Sequence, residues 1–488
     1  MFYYSDKTID SKGGDMEANT NNQQIQYVQV TPQAAAAPAN AQNVGRILSN
    51  AQKDVFKWAA VISYIVGFIY VKYGIENSGI VSRFPYLGRL IFAIVFVACT
   101  EVFAYKIGVT YDSLREKKKS FIEPAIYAMC IVLQSLAYAL WGTHEDWAFY
   151  QFVLWHFSFV YYVLARTGTL AAGRSGLMFI IDSFQGFITV PFANLFLRIN
   201  AIFKKGEMDD ELYESEHPAK KINKATVITI IVSLVIAAIV CLYAVAELTS
   251  ASETFAVFGD KFFNYLDYFL KQKFWDYIWE NFVMLIVSIP VGAYLFGLVG
   301  GSLFRDKPYY RIKDFEEDTR SYHLLPSYSA YIVIGSVCFV YALFLGASIN
   351  DFIAHKGLFA ESAPEACQRA LSSFWSLIRV VLMNFAVIAC SCIFSKKALW
   401  EEKGTRILAT VLFIFALGFA IMAAFNLMGV YVGYYGWTPR RILSSWVVMN
   451  VIAWCILLII RFYKKIPAAQ IGIILAAVSF SVIDMFKF

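Results

Sequence analysis

The stretch ILATVLFIFALGFAIMAAFNLMGV, Ile407 to Val430, runs for twenty-four positions without a charged side chain. A helix rises about 1.5 Å per residue and a bilayer's hydrocarbon core is roughly 30 Å thick, so about 20 apolar residues suffice to cross it. Ten further runs meet that length nearly or fully: Val55 to Tyr73, Gly88 to Lys106, Glu123 to Trp141, Trp147 to Ala165, Ala225 to Glu247, Phe282 to Phe304, Tyr328 to Ala347, Leu371 to Phe394, Ile442 to Ile460 and Pro467 to Ile483. The expected fold is all-α, a polytopic transmembrane helical bundle of about 11 spans with interfacial or re-entrant helices. Composition agrees, with 59% hydrophobic and only 16% charged residues in 488, well away from the proportions of soluble proteins.

The Lys and Arg residues fix an orientation. With the amino terminus cytoplasmic, 30 of the 42 fall on or near inner segments, as the positive-inside rule requires. Inner clusters include Lys117 to Lys119, Lys204 to Lys224, Arg305 to Arg320 and Lys396 to Lys403. The carboxyl terminus then lies outside, and the expected location is the cell membrane. One apolar segment, Leu177 to Phe203, contains Asp182, Gln185, Pro191, Asn194 and Arg198. Were it to cross, every later basic cluster would move to the outer face, so we read it as an inner interfacial or re-entrant helix broken at Pro191.

Residues 1–50 are rich in Gln, Asn, Ala and Ser and are expected to form a disordered cytoplasmic tail. No apolar region lies near the initiating Met, so the first span reads as an uncleaved anchor. Residues 51–488 read as a single membrane domain. Thr254 to Glu280 places Phe255, Phe258, Phe262 and Leu266 opposite Asp260, Lys261 and Asp267, an outer amphipathic helix that packs as a lid or acts as a gate. Loops are too short to hide a soluble catalytic domain, and no phosphate-binding GxxxxGK[ST] loop is present.

Seven of the eight cysteines lie inside apolar runs, which argues against a disulfide framework. Cys390 and Cys392 point about 200° apart on a helix, so no two-cysteine metal site is expected. No Ser-His-Asp set, HExxH pair or metal cluster occurs, and no cofactor, metal or catalytic residue is assigned. The residues do not identify an enzyme, and the question of catalysis stays open at this point. His144-Glu145-Asp146 reads as a solvated outer turn.

Polar residues within spans are the candidates for function. Arg379 is an intramembrane charge, expected to be functional or to snorkel to the outer interface, with Asn384 five positions on. His156 relays protons, binds a ligand or bonds a neighbouring helix; Gln134, Asn426 and Asn450 read as interhelical glue. Ala293, Gly297 and Gly301, four apart, form a small-residue face for close packing.

The most specific stretch is YVGYYGWTPRR, Tyr431 to Arg441. Gly436 permits a turn, and Thr438 with Pro439 reads as cap and first residue of a helix. Arg440 and Arg441 then sit on the outer face in a first helical turn, unfavourable for both topology and the helix dipole. An anion should compensate, either an acidic side chain or a phosphate; Tyr431, Tyr435 and Thr438 would share that site.

Here the chain resembles a family of bacterial, mainly Gram-positive, multi-pass membrane proteins carried only as a domain of unknown function. That family has a Tyr-x-x-x-Tyr-Gly-Leu-Thr-x-x-Arg-like motif. Tyr431, Tyr435, Gly436, Thr438 and Arg441 match, while Trp437 replaces Leu. The resemblance covers roughly the last 120 residues and implies membrane class and bacterial origin, with no reaction.

Two function classes follow. One is transport or handling of an anionic solute or lipid. The other is a non-catalytic envelope scaffold or interaction protein; an integral-membrane transferase has the least support. Expected partners are membrane lipids, anionic ones at the cytoplasmic face, and a membrane protein or a second copy of the chain, with no nucleic acid.

Overall fold

The computed structural model describes residues 46–75, 86–143, 146–203, 273–326, 328–355, 362–396 and 399–486. The expected span Ala225 to Glu247, the tail before residue 46, most of the amphipathic segment, His144 and Glu145 lie outside the described residues.

All the described regular structure is helical. Helix α1, Asn50–Ile69, starts at a reciprocal cap: the Ser49 hydroxyl accepts from the Gln52 N–H and the Gln52 side chain from the Ser49 N–H, satisfying two otherwise free donors. A π turn, Tyr70–Ile75, extends it. Then follow α2 (Leu87–Ile107), α3 (Tyr111–Glu116), α4 (Glu123–Trp141), α5 (Ala148–Thr167) and a broken helix made of α6 (Phe179–Phe184), a π turn (Gln185–Thr189), α7 (Val190–Ala193) and α8 (Leu197–Phe203). Helix α9 spans Lys273–Arg305, α10 Ile312–Arg320, α11 Tyr328–His355 and α12 Ala363–Phe394. Helix α13 (Lys403–Ala424) widens into a π turn (Phe425–Tyr431) and a last turn, α14 (Val432–Tyr435); α15 (Pro439–Tyr463) and α16 (Ala468–Asp484) close the chain.

Nine described helices are long and apolar enough to cross a membrane, and two shorter apolar ones lie at Tyr328–Phe344 and Ala468–Asp484. The protein is an all-α, multi-pass integral membrane protein. Ten of the eleven expected runs coincide with helices, because a continuous apolar run leaves the backbone no partners in lipid but its own. The ninth long helix is Phe179–Phe203. It begins beside the end of α5, where Tyr161 Oη donates to Phe179 O at 2.8 Å. Farther along, Arg198 Nη2 donates to Ile289 O in mid-α9 at 2.7 Å, and its guanidinium stacks on Tyr64 of α1.

Pro191 does not end this helix. It falls in the first turn of α7, and the Phe187 carbonyl it would leave unbonded accepts from Tyr294 Oη at 2.8 Å. The break comes at Asn194–Phe196, where Asn194 Nδ2 folds back onto Val190 O at 2.7 Å. Residues 273–280, expected to belong to a separate amphipathic helix, run without interruption into α9.

Helix ends gather at two levels. At one, Arg46 N–H donates to Phe304 O at 2.6 Å, Ser120 N–H to Gly173 O at 2.8 Å and Ile312 N–H to Ala171 O at 3.1 Å, while Leu325 bridges Ser395. At the other, Lys72 Nζ donates to Asn281 Oδ1 and Trp141 Nε1 to Met485 O, each at 2.9 Å. The first level carries Lys117 to Lys119 and Arg305 to Arg320, and is called the basic end below.

Packing follows small residues. The α9 stripe lies against the broken helix: a Cβ on Gly297 would sit 2.5 Å from Pro191 O, and one on Gly301 2.6 Å from Asn194 Cγ. A first core joins α1, α2, α4, α5 and α9 around Phe56, Phe92, Trp155 and Phe296. A second joins α12, α13 and α15 around Ala409, Phe413, Ala416 and Val448, and α16 touches both α4 and α15.

Candidate functional site

Both arginines of the motif, Arg440 and Arg441, are engaged by the protein itself. Arg440 Nε pairs with Asp146 at 2.8 Å. Arg441 Nη1 donates to Tyr435 O at 2.8 Å and to Gly436 O at 2.6 Å, and its guanidinium lies 4.5 Å from the Tyr431 ring and 5.2 Å from that of Tyr435. Those carbonyls end the preceding helix and have no intrahelical donor, so Arg441 caps it. Gly436, at φ +70°, makes the turn. Thr438 is at the cap position of α15 but its hydroxyl accepts no backbone bond. Replacing Arg441 by alanine should destabilise the folded state by about 1.5 kcal/mol, while Arg440→Ala, an exposed pair, should cost about 0.5 kcal/mol. Thermal unfolding in mild detergent checks the order; equal effects would dismiss the capping role.

The intramembrane candidates separate. Arg379 is exposed on α12, with Ser376 Oγ 3.4 Å from its Nη2. Asn384 is fully buried and accepts from Tyr341 Oη at 2.8 Å. The His156 ring lies between two partners, Nδ1 at 2.7 Å from Phe152 O and Nε2 at 2.5 Å from Tyr70 Oη. A carbonyl only accepts, so Nδ1 carries the proton and Nε2 accepts from Tyr70. Asn426 Nδ2 reaches Ser373 Oγ at 2.7 Å. None of these four lies beside Arg441.

A well-formed cavity lies elsewhere. A groove of about 520 Å³ opens between α1, α2 and α9, lined by Ala59, Ile62, Ser63 and Val66, by Phe96, Ala98, Cys99 and Phe103, and by Leu295, Phe296 and Val299. Asp54, Trp58 and Lys106 line its basic end. Beyond Lys106, Arg46 Nη1 and Gln52 Nε2 both donate to Ile107 O, and Arg46 and Lys117 hold Asp306 at 2.7 and 3.1 Å. Burial of Asp306 works against its charge, yet the Lys117 hydrogen bond and the charges of Arg46, Lys117 and Lys119 keep its carboxyl below the usual range. The volume falls within the roughly 300–1,000 Å³ of small-molecule sites.

Sequence reasoning missed this groove, since it depends on how three helices sit together. Small residues at Ala59 and Ser63 and at Ala98 and Cys99 were the only available signal. It also missed the buried charges. Arg166 pairs with Glu101 at 2.7 Å. Arg89, 4% exposed, donates to Gly74 O and lies over the Tyr138 ring.

A family model described as "Domain of unknown function (DUF4153)" matches residues 128–488. That match takes in the Tyr431 to Arg441 motif and α9, while the α1 and α2 walls of the groove precede it. No curated protein and no solved structure matches the chain.

Proposed function

The chain belongs to the DUF4153 family, and from that membrane-protein premise, which carries no reaction, we propose that it handles lipid by holding an anionic lipid of the inner leaflet. The observation that carries this is the groove: apolar along its length, with Lys106 at the end where Arg46, Lys117 and Lys119 also gather. An acyl chain suits the walls, and a phosphate suits the basic rim. In this reading the basic end is cytoplasmic, the carboxyl terminus lies outside, and the membrane is that of a bacterial cell. Arg440 and Arg441 then serve the outer surface as structural residues.

The test is mass spectrometry of lipid co-purifying with the full chain in mild detergent. Ala98→Trp, which fills the exposed wall of the groove, should lower bound anionic lipid roughly tenfold, the effect of a steric penalty near 1.4 kcal/mol. Lys106→Glu should shift the bound lipid away from anionic headgroups. Unchanged lipid content in a folded Ala98→Trp protein would refute the proposal.

A second reading, an envelope scaffold, draws on Arg379. An exposed guanidinium on a membrane-facing helix suits a partner helix that supplies an acceptor.

A further inference from the structure

At the basic end, away from the groove, α4, the loop after α5 and α6 enclose two carboxylates. Glu123 and Asp182 are 1% and 0% exposed. Glu123 is satisfied: Ser175 N–H donates to Oε2 at 2.9 Å and Gln470 Nε2 to Oε1. Asp182 is half satisfied, with Ala171 N–H on Oδ1 at 2.7 Å. Among the described residues its other oxygen, Oδ2, has no hydrogen-bond partner, and the buried hydroxyls of Ser175 and Tyr127 have none but each other. These groups are neighbours: the Tyr127 hydroxyl meets that of Ser175 and lies within electrostatic reach of Glu123 and Asp182. The Tyr127 ring lies 5.6 Å from that of Tyr161, whose hydroxyl donates to Phe179 O. Neither carboxylate has an ion pair among the described residues.

Buried charge without a counter-charge is strongly unfavourable. The free Asp182 oxygen and the two buried hydroxyls present a hard, oxygen-only donor set beside Glu123. Calcium needs six to eight oxygens, commonly from several carboxylates, and magnesium a near-ideal octahedron. Here both Glu123 oxygens are taken by N–H donors, and one free carboxylate oxygen with two hydroxyls balances a single positive charge. The chain is also broken nearby, with the π turn at Gln185 and the interruption at Asn194. Discontinuous membrane helices supply irregular backbone that can complete an ion's shell.

We propose that Asp182 Oδ2, Ser175 Oγ and Tyr127 Oη bind a dehydrated monovalent metal cation, sodium, with Glu123 fixing the loop that carries Ser175. The site is independent of the lipid groove.

The experiment is thermal unfolding of the purified full chain against sodium chloride, with choline chloride holding ionic strength constant at fixed pH. The midpoint should rise steadily with the logarithm of sodium concentration. The rise should vanish in Asp182→Asn and shift to several-fold higher sodium in Tyr127→Phe and Ser175→Ala. If Asp182→Asn does not fold, the two hydroxyl variants decide, since each removes one oxygen and leaves the carboxylates in place. A wild-type midpoint that ignores sodium while responding to pH would overturn the proposal in favour of a proton on Asp182. A response to calcium in place of sodium, or an equal sodium response in all variants, would overturn it as well.

Discussion

Replacing Arg166 by methionine should destabilise the folded protein by about 3 kcal/mol, near the lower limit for removing one partner of a buried ion pair. Arg166 is 1% exposed at the end of α5. Its Nε donates to Glu101 Oε2 at 2.7 Å, its Nη1 to Val109 O at 2.8 Å, and its guanidinium lies 4.7 Å from the Tyr111 ring. Glu101 Oε1 meanwhile accepts from Tyr162 Oη at 2.9 Å and Tyr111 Oη at 3.0 Å. Methionine fills the volume but strands both the carboxylate and the Val109 carbonyl. Because the Glu101 side chain is 32% exposed, water relieves part of the loss and holds it at the low side. Burial and the Glu101 charge push the Tyr111 phenol up to about 12, so it remains a donor at ordinary pH. Adding Glu101→Leu to Arg166→Met should recover part of the stability, since an apolar pair leaves no charge stranded. A double variant no better than the single one would refute the pairing as the source of the effect.

Gly292→Leu should have an effect at least as large. A Cβ at Gly292 would lie 2.7 Å from Ser63 O and 2.9 Å from Arg198 Nη1, and one at Gly67 2.7 Å from Gly292 Cα. Backbone blocks the added atoms on one side, so α1 and α9 must separate. Overpacking costs about 1–3 kcal/mol where side chains can move, and more where they cannot. Separation would also dislodge Arg198 from Ile289 O and from the Tyr64 ring, releasing a buried cation. We expect a loss of about 3–4 kcal/mol. Gly418→Leu is the control: nothing lies within 4 Å of its Cβ position, and the change should stay within about 0.5 kcal/mol. Unfolding midpoints measured side by side decide it, and similar values for the two would contradict close α1–α9 contact.

The spans were legible because lipid imposes one demand, an uninterrupted apolar run, and Ile407 to Val430 meets it visibly. Irregularities within them were less legible. Pro191 marked a disturbed helix, but the position of the break depends on whether a donor from another helix takes up Phe187 O, and Tyr294 does so 107 positions along the chain. The two motif arginines show the same limit. Topology and helix dipole demand compensation for Arg440 and Arg441; that Asp146 supplies it to one and the carbonyls of Tyr435 and Gly436 to the other is a fact of folding. The groove and the Asp182 cluster were invisible because each is assembled from segments far apart in sequence. His156, Asn384 and Asn426 were recognisable as candidates, but only the fold identifies Tyr70, Tyr341 and Ser373 as their neighbours.

The π turn at Phe425–Tyr431 has an effect on heredity as well as on shape. Such a turn amounts to a helix holding one residue more than its α-helical register accommodates, which rotates everything beyond it by about 100°. Upstream, Ala416 and Ala420 address the core; at its end and beyond, Tyr431 and Tyr435 address Arg441. A lineage could therefore gain the tyrosine–arginine knot by a single inserted codon, leaving the alanine face untouched. Losing that codon would turn the two rings away while the span itself still crossed.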